Sequence, residues 1–356
     1  MPNPLVSVLI DTFNHERFIE EAVCSVLAQD FPEADREILV VDDGSTDRTP
    51  ELLRRFEPKV RILRKENGGQ ASAFNWGIPQ CRGEIVTFLD GDDWWAPQKL
   101  SSVVKAFSSH PAVGLVGHSI TEVLPGQIKR AELVRDFPRF RIDSVEGARL
   151  FRLRKSFLGT SRMAYRSTIL QRIGRVPEAL VIEADEFLFT LGALFAEVLL
   201  LREPLTFYRL HCQNLYQISS GNQVAIRQKH NVILALVESL RRRFAEECVP
   251  ADIANEVFKS LQNEANLVRI SLGEGSRLDS FRTELTEYHL NHEHASAFRR
   301  LLKYMSLLPA LLLSPRRYSS LKQRLVSNRL YVKVRQKFLP FHRPKHVDRT
   351  GNWGSQ

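Results

Sequence analysis

Two aspartates separated by one glycine, Asp90-Gly91-Asp92, with Asp93 next in line, stand directly behind the apolar run Ile85-Val86-Thr87-Phe88-Leu89. The run reads as a buried parallel strand, and in open α/β sheets ligands collect where such strands end. With only glycine between them, Asp90 and Asp92 can turn toward one hard cation while the backbone bends around it. Oxygen ligands of this kind suit Mg²⁺ or Mn²⁺, above all when a substrate phosphate completes the shell. The same residues also read as a surface turn, because Asp-Gly is a common turn dipeptide and paired aspartates cap helices. The neighbouring segments decide between these readings.

Upstream, the chain repeats one unit. A strand at 5–10 ends in Asp11-Thr12-Phe13-Asn14-His15, and residues 16–27 carry apolar side chains at helical spacing (Phe18, Ile19, Ala22, Val23, Val26, Leu27). A second strand at 37–41 ends in Asp42-Asp43-Gly44-Ser45-Thr46-Asp47, with Thr49 as the cap of a helix that has Pro50 and Glu51 in its first turn. A third strand at 60–63 leads through Asn67-Gly68-Gly69-Gln70 to a helix at 71–78, and the fourth delivers Asp90. A helix at 97–108 and a strand at 113–117 follow. This alternation predicts a mostly parallel, Rossmann-like α/β sheet with right-handed crossovers, flanked by helices. Three polar loops, 11–15, 42–47 and 90–93, then share one sheet edge. Such an edge suits a nucleotide: Asp42 can accept from a base ring N–H, loop backbone can frame a ribose, and a metal can neutralise a diphosphate. Taken alone, 42–47 reads first as a helix-capping turn, and its neighbours turn the reading toward a ligand. Gly68-Gly69 is either a flexible turn or a place where backbone approaches a ligand closely. No G-x-G-x-x-G or P-loop pattern follows any of these strands, which argues against NAD and ATP chemistry.

Four ordered motifs, Val6-Ser7-Val8-Leu9-Ile10 with Thr12-Phe13-Asn14, Val41 through Asp47, Asn67-Gly68-Gly69-Gln70 through Asn75, and Asp90-Gly91-Asp92-Asp93, resemble family 2 glycosyltransferases over residues 5–215. The resemblance implies an inverting enzyme of GT-A fold that uses a nucleotide-sugar donor, with UDP favoured, and Mn²⁺ or Mg²⁺. It places the donor against Thr12, Asn14, Asp42, Asn67, Gly69, Gln70, Asp90, Gly91 and Asp92, and the metal on Asp92 with Asp90, Asp93 and His211. The chain departs from the family at Asp11, where proline usually precedes the threonine.

The second half of the site follows from three later segments. Residues 126–154 are rich in charge, include Phe137-Pro138-Arg139-Phe140, and read as a connection over the sheet edge. Residues 157–166 resemble the family segment that returns a strand beside the acceptor, with Thr160 and Ser161 as candidate acceptor contacts. Asp185, in Glu183-Ala184-Asp185-Glu186, matches the family's catalytic base. A sugar hydroxyl is a poor nucleophile at neutral pH, so a positioned carboxylate must take its proton. Glu183 is the competing base, and Asp185 or Glu186 also reads as complementing a helix N-terminus. Residues 204–214 resemble the family's closing Tyr-Arg-x-His segment, in which His211 is a metal or diphosphate contact and Arg209 offsets phosphate charge.

The 356 residues, 43% hydrophobic and 26% charged, have an ordinary globular composition. The net charge of +9 is unevenly placed, because residues 295–356 hold 14 Lys/Arg and one acid. Cys24, Cys81, Cys212 and Cys248 show neither pairing rhythm nor metal spacing, so a reduced, cytoplasmic setting is expected. The N-terminus carries no signal-peptide pattern, and no run is long enough to cross a bilayer. Residues 222–294 read as a helical accessory region. Residues 295–356 read as a basic tail in which the apolar stretch 301–313 is bordered by Arg299, Arg300, Arg316, Arg317, Lys322 and Arg324. That pattern suits the anionic cytoplasmic face of a membrane; packing on protein is the other reading. No nucleic-acid module accompanies it. A saccharide, lipid-linked or protein hydroxyl is the expected acceptor. Two other classes compete: a sugar-phosphate nucleotidyltransferase, and a non-catalytic nucleotide-sugar sensor that has no need of Asp185.

Overall fold

Residues 5–124, 126, 128–134, 139–211, 222–291 and 296–327 are described by a computed structural model. The chain divides after Cys212 into two compact units. Phe137-Pro138, Cys212 to Asn214 and the last 29 residues of the tail lie outside the described residues.

In the first unit the elements run β1 (Val6–Thr12), α1 (Ile19–Leu27), β2 (Arg36–Asp42), α2 (Thr49–Arg54), β3 (Arg61–Arg64), α3 (Gln70–Gly77), β4 (Ile85–Asp90), β5 (Trp94–Trp95) and α4 (Lys99–Ser109). They continue with β6 (Val113–Leu124), β7 (Ile128–Glu132), β8 (Arg139–Phe140), α5 (Val145–Arg154), β9 (Ala164–Arg166), α6 (Ser167–Ile173), α7 (Ala184–Phe195) and β10 (Glu197–Arg209). The sheet order is β3-β2-β1-β4-β9-β6-β10-β5, with β7 beside β6 and β8 beside β10. β3, β2, β1 and β4 are parallel, as their apolar runs predict, and so are β6 and β10. β9 is antiparallel to both β4 and β6, so the sheet as a whole is mixed. The reason is the direction of entry: residues 160–163 come in at the carboxyl edge, where Met163 O accepts from Phe88 N at 3.3 Å, and the strand that follows must run back down.

Register matters for the site. Thr12 lies opposite Asp42 across β1 and β2, and Asp11 opposite Asp90 across β1 and β4, so the polar strand ends fall in one row. Behind that row the strands are buried on both faces, and α1 turns Ile19, Ala22, Val23 and Val26 inward at helical spacing. α7 has no polar face over its length from Glu186 to Phe195, and all of it is buried. One expected cap is displaced. Thr49 is the first residue of α2, not its cap; Asp47 Oδ1 accepts from Thr49 N at 2.9 Å, so the carboxylate two residues earlier satisfies the free helix end. The 126–154 connection is also less irregular than its charge suggests, since it contains β7, β8 and α5.

The second unit is helical: α8 (Gln223–Glu246), α9 (Ala251–Ser271), α10 (Arg277–Asn291), α11 (Ala297–Ser306), α12 (Leu308–Leu312) and α13 (Pro315–Ser327). Asn222 caps α8 through Ala225 N, and Ser276 with Asp279 forms a reciprocal capping box at the start of α10. Ile233, Leu236, Leu240 and Phe244 of α8 and Val257, Phe258 and Leu261 of α9 are buried, with the Phe244 and Phe258 rings 5.2 Å apart. Leu307, Ala310 and Tyr318 are buried as well, and Lys303 and Lys322 both pair with Glu284, so the described part of the basic tail packs within this unit.

Candidate active site

The first polar loop is built to shape the second. Asn14 takes a left-handed backbone (φ 56°), a conformation asparagine tolerates better than most residues. Its N donates to Ser45 Oγ at 2.9 Å, and its Oδ1 accepts from Thr46 N at 2.8 Å and Asp47 N at 3.4 Å. The carbonyl end of the side chain expected to meet the donor thus shapes loop 42–47. Thr12 Oγ1 lies 3.2 Å from His15 Nδ1, and both crowd Gly91, where a Cβ would stand 2.6 Å from Thr12 Oγ1. That close approach explains why the residue between the two aspartates is glycine.

Asp42 is fully buried at the end of β2. Its Oδ1 accepts from Ser45 N at 2.9 Å, which is the turn the sequence allowed, and its Oδ2 lies 3.4 Å from Arg64 Nε. An open depression of about 590 Å³ beside it is lined by Gly44, Arg64, Lys65, Glu66 and Asn67. Asp43, not expected as a site residue, organises the next loop: its carboxylate accepts from Lys65 Nζ at 2.6 Å, Gly68 N at 3.1 Å and Gly69 N at 2.7 Å. Gly69 sits at φ 81° and ψ 179°, a region open essentially to glycine alone, and a Cβ there would lie 2.7 Å from the Val181 backbone. Gly69→Ala is expected to lower stability by about 1–3 kcal/mol from the backbone conformation alone. Urea unfolding checks this, and an unchanged midpoint would mean that the loop adopts another path.

Gln70 and Thr160 form the support of the expected base. Gln70 Nε2 donates to Thr160 Oγ1 at 3.0 Å, and Gln70 Oε1 accepts from Ala184 N at the start of α7 at 3.1 Å. Thr160 in turn donates to Asp185 Oδ2 through its N at 3.2 Å and its Oγ1 at 3.3 Å. Gln70 thus belongs to the Asp185 network, with both ends of its amide engaged. Asp185 Oδ1 accepts from Glu186 N at 2.8 Å. Burial holds the Asp185 carboxyl above the ordinary carboxylate range, against these hydrogen bonds, which favour its ionised form. The residue keeps partial exposure, as a group that meets an acceptor must. Glu183, the competing base, caps α7 in a left-handed conformation (φ 61°), and Glu186 is buried in an ion pair with Lys155. Asn75 holds the approach to this segment, donating to Val176 O at 2.7 Å and accepting from Val176 N at 2.8 Å.

The next residue, Ser161, serves the other carboxylate. Its Oγ accepts from Asp90 N at 3.0 Å and donates to Asp90 Oδ2 at 3.2 Å. Its carbonyl accepts from Lys99 Nζ at 3.0 Å, Trp95 Nε1 at 3.2 Å and Thr206 Oγ1 at 2.7 Å, which pins Ser161 in place. Lys99 is fully buried 2.7 Å from His118 Nε2, and burial holds its amine well below the usual lysine range. The hydroxyls expected at the acceptor, Thr160 and Ser161, are therefore occupied in aiming Asp185 and Asp90.

The remaining carboxylates crowd one another. Burial, followed by the charges of Asp11 and Asp92, holds Asp90 well above the carboxylate range; burial and Asp92 do the same to Asp93. Asp11 is pushed up to about 8 by burial and then by Asp92, and its buried Oδ1 has no hydrogen-bond partner among the described residues. Asp92 moves the other way: burial opposes its ionisation, but the hydrogen bond from His211 and the charges of His15 and His211 outweigh it and bring the pKa below the ordinary value. His211 Nε2 lies 2.9 Å from Asp92 Oδ2, and its ring centroid is 4.7 Å from that of Phe18. Arg209, expected near phosphate, instead braces this corner. Its N donates to Asp93 Oδ1 at 2.9 Å, its Nε to Asp92 O at 2.9 Å, and its guanidinium lies between the Phe18 and Trp94 rings at 4.7 and 4.4 Å.

Asp92 and His211, in hydrogen-bond contact at 2.9 Å, are the described side chains that would hold a divalent cation beside a diphosphate. The carboxylate is the oxygen donor that Mn²⁺ or Mg²⁺ prefers, with phosphate oxygens and water completing the shell. Among the described residues no group of three His, Cys, Asp or Glu side chains is gathered for a metal, and Asp93, fully buried against β10, stays outside the Asp92–His211 pair. Asp43 was missed from sequence because its carboxylate acts on the backbone N–H groups of Gly68 and Gly69, remote in the chain; Arg209 and Ser161 were expected at the site, but not the bracing contacts described for them.

A mixed α/β sheet with three polar loops and a carboxylate cluster on its carboxyl edge has the architecture of a GT-A glycosyltransferase. Residues 7–174 match the family described as Glycosyl transferase family 2, and this part of the chain is a family 2 glycosyltransferase domain. The chain is 32% identical over 215 residues to an uncharacterized glycosyltransferase of Nostoc sp., which covers 59% of this chain and 66% of that protein. It is 29% identical over 178 residues to one from Rickettsia typhi, covering 50% and 55%. The chain thus spans between about half and two thirds of the length of these relatives. Among solved structures, S. aureus TarS 1–349 in complex with UDP-GlcNAc superposes with TM-score 0.52 at 19% identity, covering 85% of this chain and 90% of that one. The mannosyltransferase PcManGT from Pyrobaculum calidifontis, in complex with GDP-Man and Mn²⁺, gives 0.50 at 19% identity, covering 94% and 87%.

Proposed function

We propose that this chain is an inverting glycosyltransferase that moves a sugar from a nucleotide-sugar donor, UDP-linked in the first instance, to a hydroxyl of a saccharide, lipid-linked or protein acceptor. The observation that carries the proposal is the pair Thr160-Ser161: two consecutive residues aim Asp185 on one side and Asp90 on the other. A base and a carboxylate of the 90–93 loop held by adjacent residues suit a single displacement. Asp185 takes the acceptor hydroxyl proton as the oxygen attacks the anomeric carbon; the carbon–oxygen bond to the diphosphate breaks on the opposite face, and the configuration inverts. Loop 42–47 and the 65–69 turn hold the nucleoside beside Asp42 and Asn67. Asp92 and His211 would hold a divalent cation, which when bound would supply charge for the leaving diphosphate. The S. aureus protein carries UDP or UDP-GlcNAc and the Pyrobaculum protein GDP-Man, so the base and sugar are the first objects of experiment.

The test is a screen of nucleotide sugars with Mn²⁺ and Mg²⁺, read by nucleoside diphosphate release. The expected result is diphosphate release from one donor class, abolished in chelator. Pyrophosphate release from a sugar phosphate plus a nucleoside triphosphate, with no donor hydrolysed, would replace this reading with nucleotidyl transfer.

A further inference from the structure

We propose that the second unit docks on an anionic membrane surface through α11 and α12. The carrying observation is an apolar helix face turned outward. In α11 it is the side carrying Lys303 that faces α10: Lys303 Nζ lies 3.7 Å from Glu284 and 5.8 Å from the Tyr288 ring centre, and Tyr304 Oη is 3.4 Å from His289 Nε2. The apolar side faces out. Phe298, Leu301 and Met305, at intervals of three and four, line one side of α11, and Leu308 and Leu312, four apart, line one side of α12; each is between 52 and 72% exposed. No residue of α11 is buried. A surface helix of a water-soluble unit normally shows the reverse orientation, so this stripe is shaped for an apolar neighbour.

Charge selects that neighbour. Residues 296–327 contain seven Lys/Arg and no Asp or Glu, and Arg299, Arg300, Arg316 and Arg317 are exposed at the two ends of the stripe. A second copy of this chain would bring the same cations against them across a self-complementary interface. A bilayer with anionic headgroups supplies both the apolar layer and the opposite charge, in the manner of an interfacial amphipathic helix. No helix among the described residues is long and apolar enough to cross a membrane, so the contact is one of lying on the surface. This assignment is independent of the donor chemistry.

The experiment is co-sedimentation of the full chain with vesicles of equimolar phosphatidylcholine and phosphatidylglycerol, and with phosphatidylcholine alone. Binding is expected on the anionic vesicles, falling as salt rises, and weak on the neutral ones. The triple variant Leu301→Gln, Met305→Gln, Leu312→Gln should lose ~10-fold or more of that binding, because one apolar signal and one basic signal are both needed for stable attachment. All three positions are exposed, so folding is preserved; circular dichroism checks it, and the single Met305→Glu, which opposes both the apolar and the charge attraction, should reproduce the loss. Equal sedimentation of wild type and both variants would overturn the proposal. So would dimerisation of the wild type, abolished in the variants, without vesicle binding.

Discussion

Asp185→Asn should abolish transfer to acceptor while donor binding stays close to wild type. Asparagine keeps the shape and an acceptor oxygen toward either Thr160 or Glu186 N, but not toward both, and it cannot take a proton; a general base contributes ~10²–10⁴-fold to such a step. Rapid-quench turnover measures the first quantity and calorimetric titration with the donor the second. The pH profile adds a signature. Because burial holds the Asp185 carboxyl above the usual range, the acid limb of turnover should lie at higher pH than an ordinary carboxylate gives: the reactive ionised form is present above that value and is lost as pH falls through it. The residual activity of Asp185→Asn should lack this limb. Transfer at the wild-type rate would remove Asp185 from the base role and bring Glu183→Gln forward as the next variant to measure.

Asp92→Asn should be nearly as damaging, by another route. It removes the charged oxygen beside His211, and turnover should fall ~10²-fold or more, as expected for losing several kcal/mol of charge stabilisation on the leaving diphosphate. A Mn²⁺ titration separates this from a folding defect: Asp92→Asn and His211→Ala should each weaken metal binding in protein whose unfolding midpoint is preserved. Asp93→Asn should show a different balance, with a larger loss of stability than of metal affinity, because its Oδ1 anchors the Arg209 backbone from a fully buried position. Full activity of metal-free protein in chelator would rule out the cation.

Much of this site was legible because its parts recur. Each of the first strands is an apolar run closed by polar residues, and parallel packing must bring those ends to one edge, so Asp42 and Asp90 could be placed on the same edge from pattern alone; the structure sets them on either side of β1. The start of α7 was legible through the carboxylates at 183–186. What was hidden depends on contacts between residues far apart in the chain. Nothing local in Gln70 says that its amide spans from Thr160 to Ala184, and nothing in Asn14 says that it is consumed by Thr46 and Asp47. β9 is only three residues long, too short for periodicity to show, and its reversed direction follows from the route of residues 160–163. Lys99 is unexpected for a simpler reason: a lysine on an amphipathic helix ordinarily faces water, and only the packed structure reveals Ser161 O and His118 as its partners.

The line of hydrogen bonds from Asp43 through Gly68 and Gly69 to Gln70, Thr160 and Asp185 bears on how such a protein can be re-engineered. Donor preference is commonly altered by transplanting loops, as if the nucleotide half and the acceptor half were interchangeable parts. Here the donor-side turn is continuous with the mount of the base: Gly69 leads directly into Gln70, and Gln70 N also donates to Val181 O at 3.0 Å. A graft of residues 65–69 from a relative with another nucleotide would carry a different strain into that mount unless Asp43, Gln70 and Thr160 travelled with it. The smallest transplantable module is therefore discontinuous in sequence, and chimaeras cut at the obvious loop boundaries should bind the new donor while turning it over poorly.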